Sequence, residues 1–425
     1  MNILFGILGI LAMLLIAFFM SNNKKAINYK TVFVGLALQF FLAVFILKFE
    51  PGKKIFEYIG IFVEKILEFA NEGADFVFGP LSNSPEIMHE LFGDKSFMFA
   101  MNLIPALIFM MILVNILYYY GIMQRVVVFL GKIVNKLMDV SGAEALSNVA
   151  SSFVGQIVAQ IMIKPYLPNL TRSEILASMT GSMACLSGGL IAVYAGLGIP
   201  AQYMLAACIM AAPGALVVSK IIYPETLEPQ TKSDFKIRKR RTDVNVLDAI
   251  SKGASDGMKV GLNVIAMLIA LIALIALLDY FLGKFGVFAH NVLHLNLSFI
   301  GLDIENLSIK VIFGKLFSIF ALLMGIPTNE VLQVGSLLGT KFVLNEAIAF
   351  TDLLSIQSVI SEKSFIIATF ALSGFANFSS VAIQISGIGE IAPNQRKNLA
   401  RMGIRALIAG TLTSYISACM AAMLI

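Results

Sequence analysis

The chain has 425 residues, 58% of them hydrophobic and only 13% charged, with a formal net charge of +5. Soluble domains run at about 45–50% apolar and about 25% charged residues, so an ordinary soluble globular protein is excluded. The apolar stretches are continuous rather than alternating, which excludes a membrane β-barrel and leaves an all-α integral membrane protein with many spans. Cys185, Cys208 and Cys419 all lie in apolar runs and form no CxxC pair, so neither a disulfide nor a thiolate metal site is indicated.

The first apolar run, Ile3 to Met20, has lysines after it and none before it, the wrong polarity for a cleaved signal peptide. It reads as a first span. Further runs of spanning length fall at about 31–48, 97–120, 173–196, 200–222, 260–283, 364–386 and 402–425. Two more apolar regions, 143–167 and 327–358, are interrupted by polar residues and glycine and read as re-entrant hairpins. That leaves eight transmembrane helices. Basic residues support this count, because it puts Lys24, Lys25, Lys30, Arg125, Lys132, Lys164, Arg172, the run KIRKRR at 236–241 and Arg396, Lys397, Arg401 on one side. The acidic loop with Glu57, Glu72, Asp75, Glu86, Glu90 and Asp94 falls on the other. Both termini are then outside and KIRKRR is cytoplasmic, a topological anchor rather than a lipid-binding patch. Residues 54–70 form an amphipathic stretch, read as an interfacial helix on the outer surface, and 122–138 and 245–258 look similar on the inner side.

Four regions follow. Residues 1–120 hold N-terminal scaffold spans and the outer amphipathic helix; 121–225 hold the first hairpin and an interrupted span at 172–196. Residues 226–300 hold the basic loop, an amphipathic helix and a scaffold span; 301–425 hold the second hairpin, an interrupted span at 364–386 and the last span. NVASSFVGQIVAQIMIKPYL at 148–167 precedes the break CLSGGL at 185–190, and VGSLLGTKFVLNEAIAFTDL at 334–353 precedes the break SGFANFSS at 373–380. The spans place the two copies in opposite orientations. Paired interrupted segments in an inverted repeat point to a secondary transporter with its site at mid-membrane.

Glu346 lies in the apolar stretch KFVLNEAIAF, and a carboxylate within a membrane marks a functional site unless a neighbour merely neutralises it, here Lys341. Asn377 and Ser380 stand in the second break; an amide and a hydroxyl suit vicinal hydroxyl groups, or serve as glue between helices. Phe375 can stack on a ring or pack, and Gln156, beside Gly155, can face a ligand or cap its own hairpin. His290 and His294 have zinc-ligand spacing but no HExxH pattern or third ligand accompanies them. No phosphate-binding loop, dinucleotide fingerprint or GxSxG motif is present, so neither ATP-driven transport nor hydrolysis is indicated, and no cofactor.

GTKFVLNEAIAF at 339–350 followed by GFANFSSVAIQISGIG at 374–389 resembles the concentrative nucleoside transporter family, in its bacterial branch. VGQ…KPYL at 154–167 and AMLIA at 266–270, after KGASDGMKVGLNV, match as well, and the resemblance runs from about residue 97 to the end. It implies a homotrimer of eight-span protomers in the bacterial inner membrane, each with a scaffold and a transport domain that moves like an elevator, and no nucleic-acid partner. It implies that Glu346, Asn377 and Ser380 bind ribose, with Gln156, Ile157, Val158, Leu190 and Phe375 at the base and site wall.

Two departures matter. The family's first tip reads GQTEAP; here it is GQIVAQ, with Ile157 and Val158 in place of polar side chains, which implies altered or broadened base selectivity. The family's sodium site falls on Ser151, Val154, Cys185 and Leu186, where an asparagine and a serine have become Ser151 and Cys185. A hard cation wants oxygen ligands and a thiol substitutes poorly, so a proton is favoured over sodium as the coupling ion, with Glu346 its carrier. The competing readings are a sodium-coupled symporter, a nucleoside-gated channel or sensor, and a membrane enzyme with Glu346 as its acid/base, for which no second catalytic group is apparent.

Overall fold

Long apolar runs in a bilayer must satisfy every backbone amide internally, and this chain does so with helices. The structure, a computed structural model, describes residues 2–79, 81, 99–232, 244–292 and 307–425, and every regular element among them is helical. The KIRKRR run, Glu86, Glu90, Asp94 and His294 lie outside the described residues.

Helix α1 (Asn2–Phe19) leads to α2 (Tyr29–Leu47), whose start is fixed by Asn28 accepting from the backbone of Lys30 and Thr31. The amphipathic stretch expected at 54–70 is the middle of a longer helix, α3 (Glu50–Phe78), started by Pro51 in its first turn. Helix α4 (Phe99–Tyr119) ends at Gly121, whose φ of 71° turns the chain by 75° into the amphipathic α5 (Ile122–Met138).

Next come two short paired helices, α6 (Gly142–Val154) and α7 (Val158–Met162), then an interrupted helix, α8 (Arg172–Ala184) and α9 (Gly188–Gly196), then the long α10 (Ala201–Ile222). The order recurs after α11 (Val246–Asn291). An amphipathic α12 (Ile309–Leu323) is followed by the pair α13 (Val331–Val343) and α14 (Glu346–Ser355). The interrupted α15 (Glu362–Leu372) and α16 (Phe378–Ile391) and the long α17 (Arg396–Leu424) complete the chain.

Two features differ from the sequence reading. The amphipathic helix expected at 245–258 and the span expected at 260–283 are one continuous 46-residue helix, α11. No proline interrupts it, and Gly253, Gly257 and Gly261 recur at four-residue spacing on the face that meets α4. A Cβ at Gly253 would lie 2.7 Å from Ile112 Cα, and one at Gly257 2.5 Å from Ile108 Cα, so the two backbones touch where side chains are absent. Helix α12 is the second difference, for no element was expected over 309–323. It lies across the glycine face of α13, where a Cβ at Gly335 would meet Gly314 O at 2.5 Å.

Five described segments are by themselves long and apolar enough to cross a membrane: Tyr29–Leu47, Arg172–Gly196, Ala201–Ile222, Ile272–Asn291 and Pro393–Leu424. Of the other expected spans, 3–20 forms the 18-residue α1, 97–120 forms α4, and 364–386 is divided between α15 and α16. The windows in α8–α9, α10 and α17 are 89%, 89% and 83% buried within the protein, against 28% for α2 and 11% for α11. The first three are therefore the centre, and α2 and α11 the periphery.

Charged groups in that centre are paired. Ser141 and Thr171 each form a capping box, with Glu144 on α6 and Glu174 on α8, and Ser141 Oγ donates to Glu174 Oε1 at 2.6 Å to join the two. Lys220 of α10 meets Glu144 at 2.7 Å and donates to Ser173 Oγ at 2.9 Å.

The glycine contacts of α11 are testable. Gly257→Val should destabilise the protein by about 1–3 kcal/mol through overpacking against Ile108. Gly283→Ala, where a Cβ has nothing within 4 Å, should be neutral or gain about 0.5–1 kcal/mol. Thermal unfolding of the two variants in detergent measures both.

Candidate functional site

The site is built where the two interrupted helices cross. Helix α8 stops because Cys185 is extended, and α9 restarts at Ser187, whose Oγ accepts from Leu190 N. Helix α15 stops before Ser373, and α16 restarts at Asn377, whose Oδ1 accepts from Ser380 N at 2.9 Å. A Cβ at Gly374 would lie 2.8 Å from Ala184 O, so the breaks pass each other only because residue 374 is glycine. Gly410 of α17 backs the crossing, where a Cβ would meet Met183 Cβ at 2.8 Å and Ala376 Cβ at 3.4 Å. Each restarted helix points its N-terminus, the positive end of its dipole, at this crossing.

One end of the site is a held carboxylate. Asn345 caps α14, its Oδ1 accepting from Ile348 N at 3.0 Å, and this places Glu346 as the first residue of the helix. Glu346 is 6% exposed. Tyr194 of α9 donates its hydroxyl to Glu346 Oε1 at 3.0 Å, and Asn377 Nδ2 donates to Glu346 Oε2 at 3.0 Å. The Tyr194 ring in turn packs on Phe350, with centroids 4.8 Å apart. Asn377 therefore does two tasks, capping α16 with its oxygen and holding Glu346 with its nitrogen.

Lys341 makes no direct ion pair within 4 Å with Glu346, although the two charges still act on each other. The turn at Leu344 and Asn345 separates them onto different helices, and buried Lys341 donates to Ala371 O at 2.8 Å, at the carbonyl end of α15. Lys220 does form ion pairs, with Glu144 at 2.7 Å and Glu225 at 3.7 Å.

The other end is an amide. Gly155 adopts φ 83° in the turn after α6, and Gln156 follows it. Gln384 of α16 donates from Nε2 to Gln156 Oε1 at 3.2 Å and to Met179 O at 3.4 Å. Ile157 lies over Gly387, where a Cβ would fall 2.5 Å from Ile157 Cδ1. Val158 opens α7, half-buried Leu190 sits in the first turn of α9, and Phe375 is buried in the second break. Ser380 Oγ has no protein partner among the described residues; Ser379 Oγ donates to Asn377 Oδ1 at 2.7 Å.

Of the four residues expected at the place of a sodium site, Ser151, Cys185 and Leu186 have individual partners. Ser151 donates to Ser147 O at 2.8 Å and lies 2.9 Å from Ser182 Oγ. Gln160 fills the seam between α6 and α8, donating to Ser182 Oγ at 3.0 Å and Ser147 Oγ at 3.3 Å and accepting from Ser178 at 2.6 Å. Cys185 Sγ instead faces Ser152 Oγ at 3.2 Å, Leu186 N donates to Cys208 Sγ at 3.2 Å, and Val154 closes α6. Tyr194, Gln160 and Gln384 were not singled out from the sequence. Gln160 had a signal, a glutamine facing serines at 147, 151, 178 and 182, four apart on each helix. Tyr194 had none, since a tyrosine in an apolar run resembles packing.

Comparison with known proteins adds to this geometry. Residues 203–422 match a family model described as the C-terminus of Na+ dependent nucleoside transporters, residues 8–81 the N-terminal model of the same family, and residues 100–201 a nucleoside recognition model. The chain is 42% identical to the uncharacterized transporter YutK of Bacillus subtilis, over all of both chains. It is 35% identical to the nucleoside permease NupC of Helicobacter pylori over 99% of this chain and 98% of the relative, and 34% identical to sodium/nucleoside cotransporter 1 of rat, of which it matches 63%. A solved structure of CNTnw in an inward-facing substrate-bound state superposes with a TM-score of 0.91 at 34% identity, covering 100% of this chain and 98% of that one.

A double-mutant cycle tests the held carboxylate. Tyr194→Phe and Glu346→Gln, compared singly and together by thermal unfolding, should show a coupling of about 1.5–3 kcal/mol, the range for a hydrogen bond to a charged group.

Proposed function

Because the chain belongs to the concentrative nucleoside transporter family, we propose that it imports nucleosides across the bacterial cytoplasmic membrane as a proton-coupled symporter. The observation that carries the reading is the carboxylate of Glu346, buried at the crossing of two broken helices and held by Tyr194 and Asn377. Ribose presents two neighbouring hydroxyls that lose their water on entry. The lone pairs left on Glu346, the second Nδ2 hydrogen of Asn377 and the hydroxyl of Ser380 replace those bonds. Gln156, with the apolar Ile157, Val158, Leu190 and Phe375, receives the base.

The ion assignment follows from Ser151 and Cys185. A thiol and a serine already engaged with Ser147 and Ser182 offer a hard cation little. A carboxyl group can take up a proton and shed its charge in apolar surroundings, which suits Glu346 to carry the coupling proton. A sodium-coupled reading has its own support in the description of the matching family and in the sodium/nucleoside cotransporters among the relatives.

The pairs α6–α7 and α13–α14 act as the two re-entrant hairpins of an inverted repeat, and they travel with α8–α9 and α15–α16 as the elevator. The protomer has eight spans and both termini outside. Helix α4 and the peripheral α11 belong to the scaffold, and the largely exposed apolar surface of α11, including Ile269, Ile272, Leu277 and Phe281, suits contact with lipid and with the other protomers of a homotrimer.

Uptake into proteoliposomes separates the two ions. An inward proton gradient at zero sodium should drive accumulation of uridine, and an inward sodium gradient at equal pH should add little; strong sodium stimulation would replace the proton reading. Glu346→Gln should lower uptake at least about tenfold, the effect of removing a charged hydrogen-bond partner.

A further inference from the structure

Tyr194 and Gln384 stand at matching places in the two halves of the chain. Tyr194 lies seven residues beyond Ser187, the cap of α9, and Gln384 lies seven beyond Asn377, the cap of α16. Each donates to the tip of the helix pair in the opposite half. Tyr194 reaches Glu346, next to the turn residue Asn345; Gln384 reaches Gln156, next to the turn residue Gly155. One bond fixes a carboxylate and the other fixes an amide.

An amide can face either way, and its two ends do opposite chemistry. Here a backbone carbonyl decides the direction. Met179 O can only accept, so Gln384 turns Nε2 toward it, at 3.4 Å. The second hydrogen of the same Nε2 goes to Gln156 Oε1 at 3.2 Å. Reversing Gln384 would set its oxygen against Met179 O. Gln384 is 0% exposed, and in this direction its Nε2 is used twice while its Oε1 has no hydrogen-bond partner among the described residues. Gln156 is then left with its oxygen occupied and its Nε2 without a protein partner among the described residues. Its neighbours Ile157 and Val158 carry no hydrogen-bonding side chain.

We infer that Gln384 is a positioning residue for base selectivity: it locks the Gln156 amide so that this end of the site offers a donor and reads an acceptor on the nucleobase edge facing away from the sugar. The inference rests on the nucleoside reading above. Its chemical consequence is a preference for bases with a keto group at that edge over counterparts with an amino group there. Gln384 touches no substrate itself and acts through Gln156.

Isothermal titration of the purified full-length protein with uridine, cytidine, inosine and adenosine tests this. The wild type should bind uridine over cytidine, and inosine over adenosine, by at least about threefold in each pair. Gln384→Met, and Gln384→Leu as a second apolar replacement, should bring both ratios toward one, because Gln156 can then turn either end to the base. A loss of packing would weaken all four ligands alike and leave the ratios standing. Ratios that persist in both Gln384 variants while Gln156→Ala abolishes them would overturn the inference, as would a wild type that binds all four without preference or prefers the amino partners. If the wild type binds none of the four, the nucleoside reading itself falls and takes the inference with it, an outcome distinct from binding without preference.

Discussion

A carboxylate inside an apolar helix bundle must be given donors, and Glu346 takes its two from elements distant in the chain. Tyr194 comes from α9, 152 residues away, and Asn377 from the cap of α16, 31 residues away. Such a group without partners would cost several kcal/mol, roughly, or lose its charge. The site can therefore form only when α9, α14 and α16 meet at one point. Interrupting two helices accomplishes this, because a helix that restarts within the bundle needs a cap, and a capping asparagine has an amide nitrogen to spare. Asn377 uses its oxygen for Ser380 N and its nitrogen for Glu346.

The crossing of the breaks carries a second constraint, one of space. Gly374 against Ala184 O and Gly410 against Met183 leave no volume for a side chain. Around this dense centre the frame is held differently, by the glycine face of α11 against α4. On the proposed reading, dense packing at both places lets a unit that moves as a body keep its site intact while its boundary with the frame slides. On the proposed reading the two hydrogen bonds from α9 and α16 to the opposite tips hold the two halves of the moving unit together.

Much of this was legible in the sequence. Gly, Ser and Asn clustered inside apolar runs mark the breaks, and CLSGG and SGFANFSS fall where α8 gives way to α9 and α15 to α16. The paired helices lie within or at the edge of the stretches read as hairpins, and Glu346 and Asn377, singled out because polar groups are costly in a membrane, are in contact. What the sequence hid depends on long-range partners. Tyr194 and Gln384 look like ordinary residues of apolar helices until their acceptors, 152 and 228 residues away, are in place. Lys341 is the opposite case: it is close to Glu346 in the chain, but a turn lies between them and its ammonium donates to Ala371 O. Helix α12 escaped notice because Lys310 and Lys315 interrupt a short apolar run, and the continuity of α11 because its polar first third reads as a separate surface helix.

On the proposed reading the carboxylate of Glu346, with Asn377 and Ser380, grips the two ribose hydroxyls. The most direct measurement is the affinity of the purified wild-type protein for uridine and for 2′,3′-dideoxyuridine by isothermal titration. A site built to bond those hydroxyls leaves its own polar groups unpaired when they are absent, so the dideoxy compound should bind at least about a hundredfold more weakly. Equal affinity for the two would mean that Glu346, Asn377 and Ser380 do not bind the ribose hydroxyls.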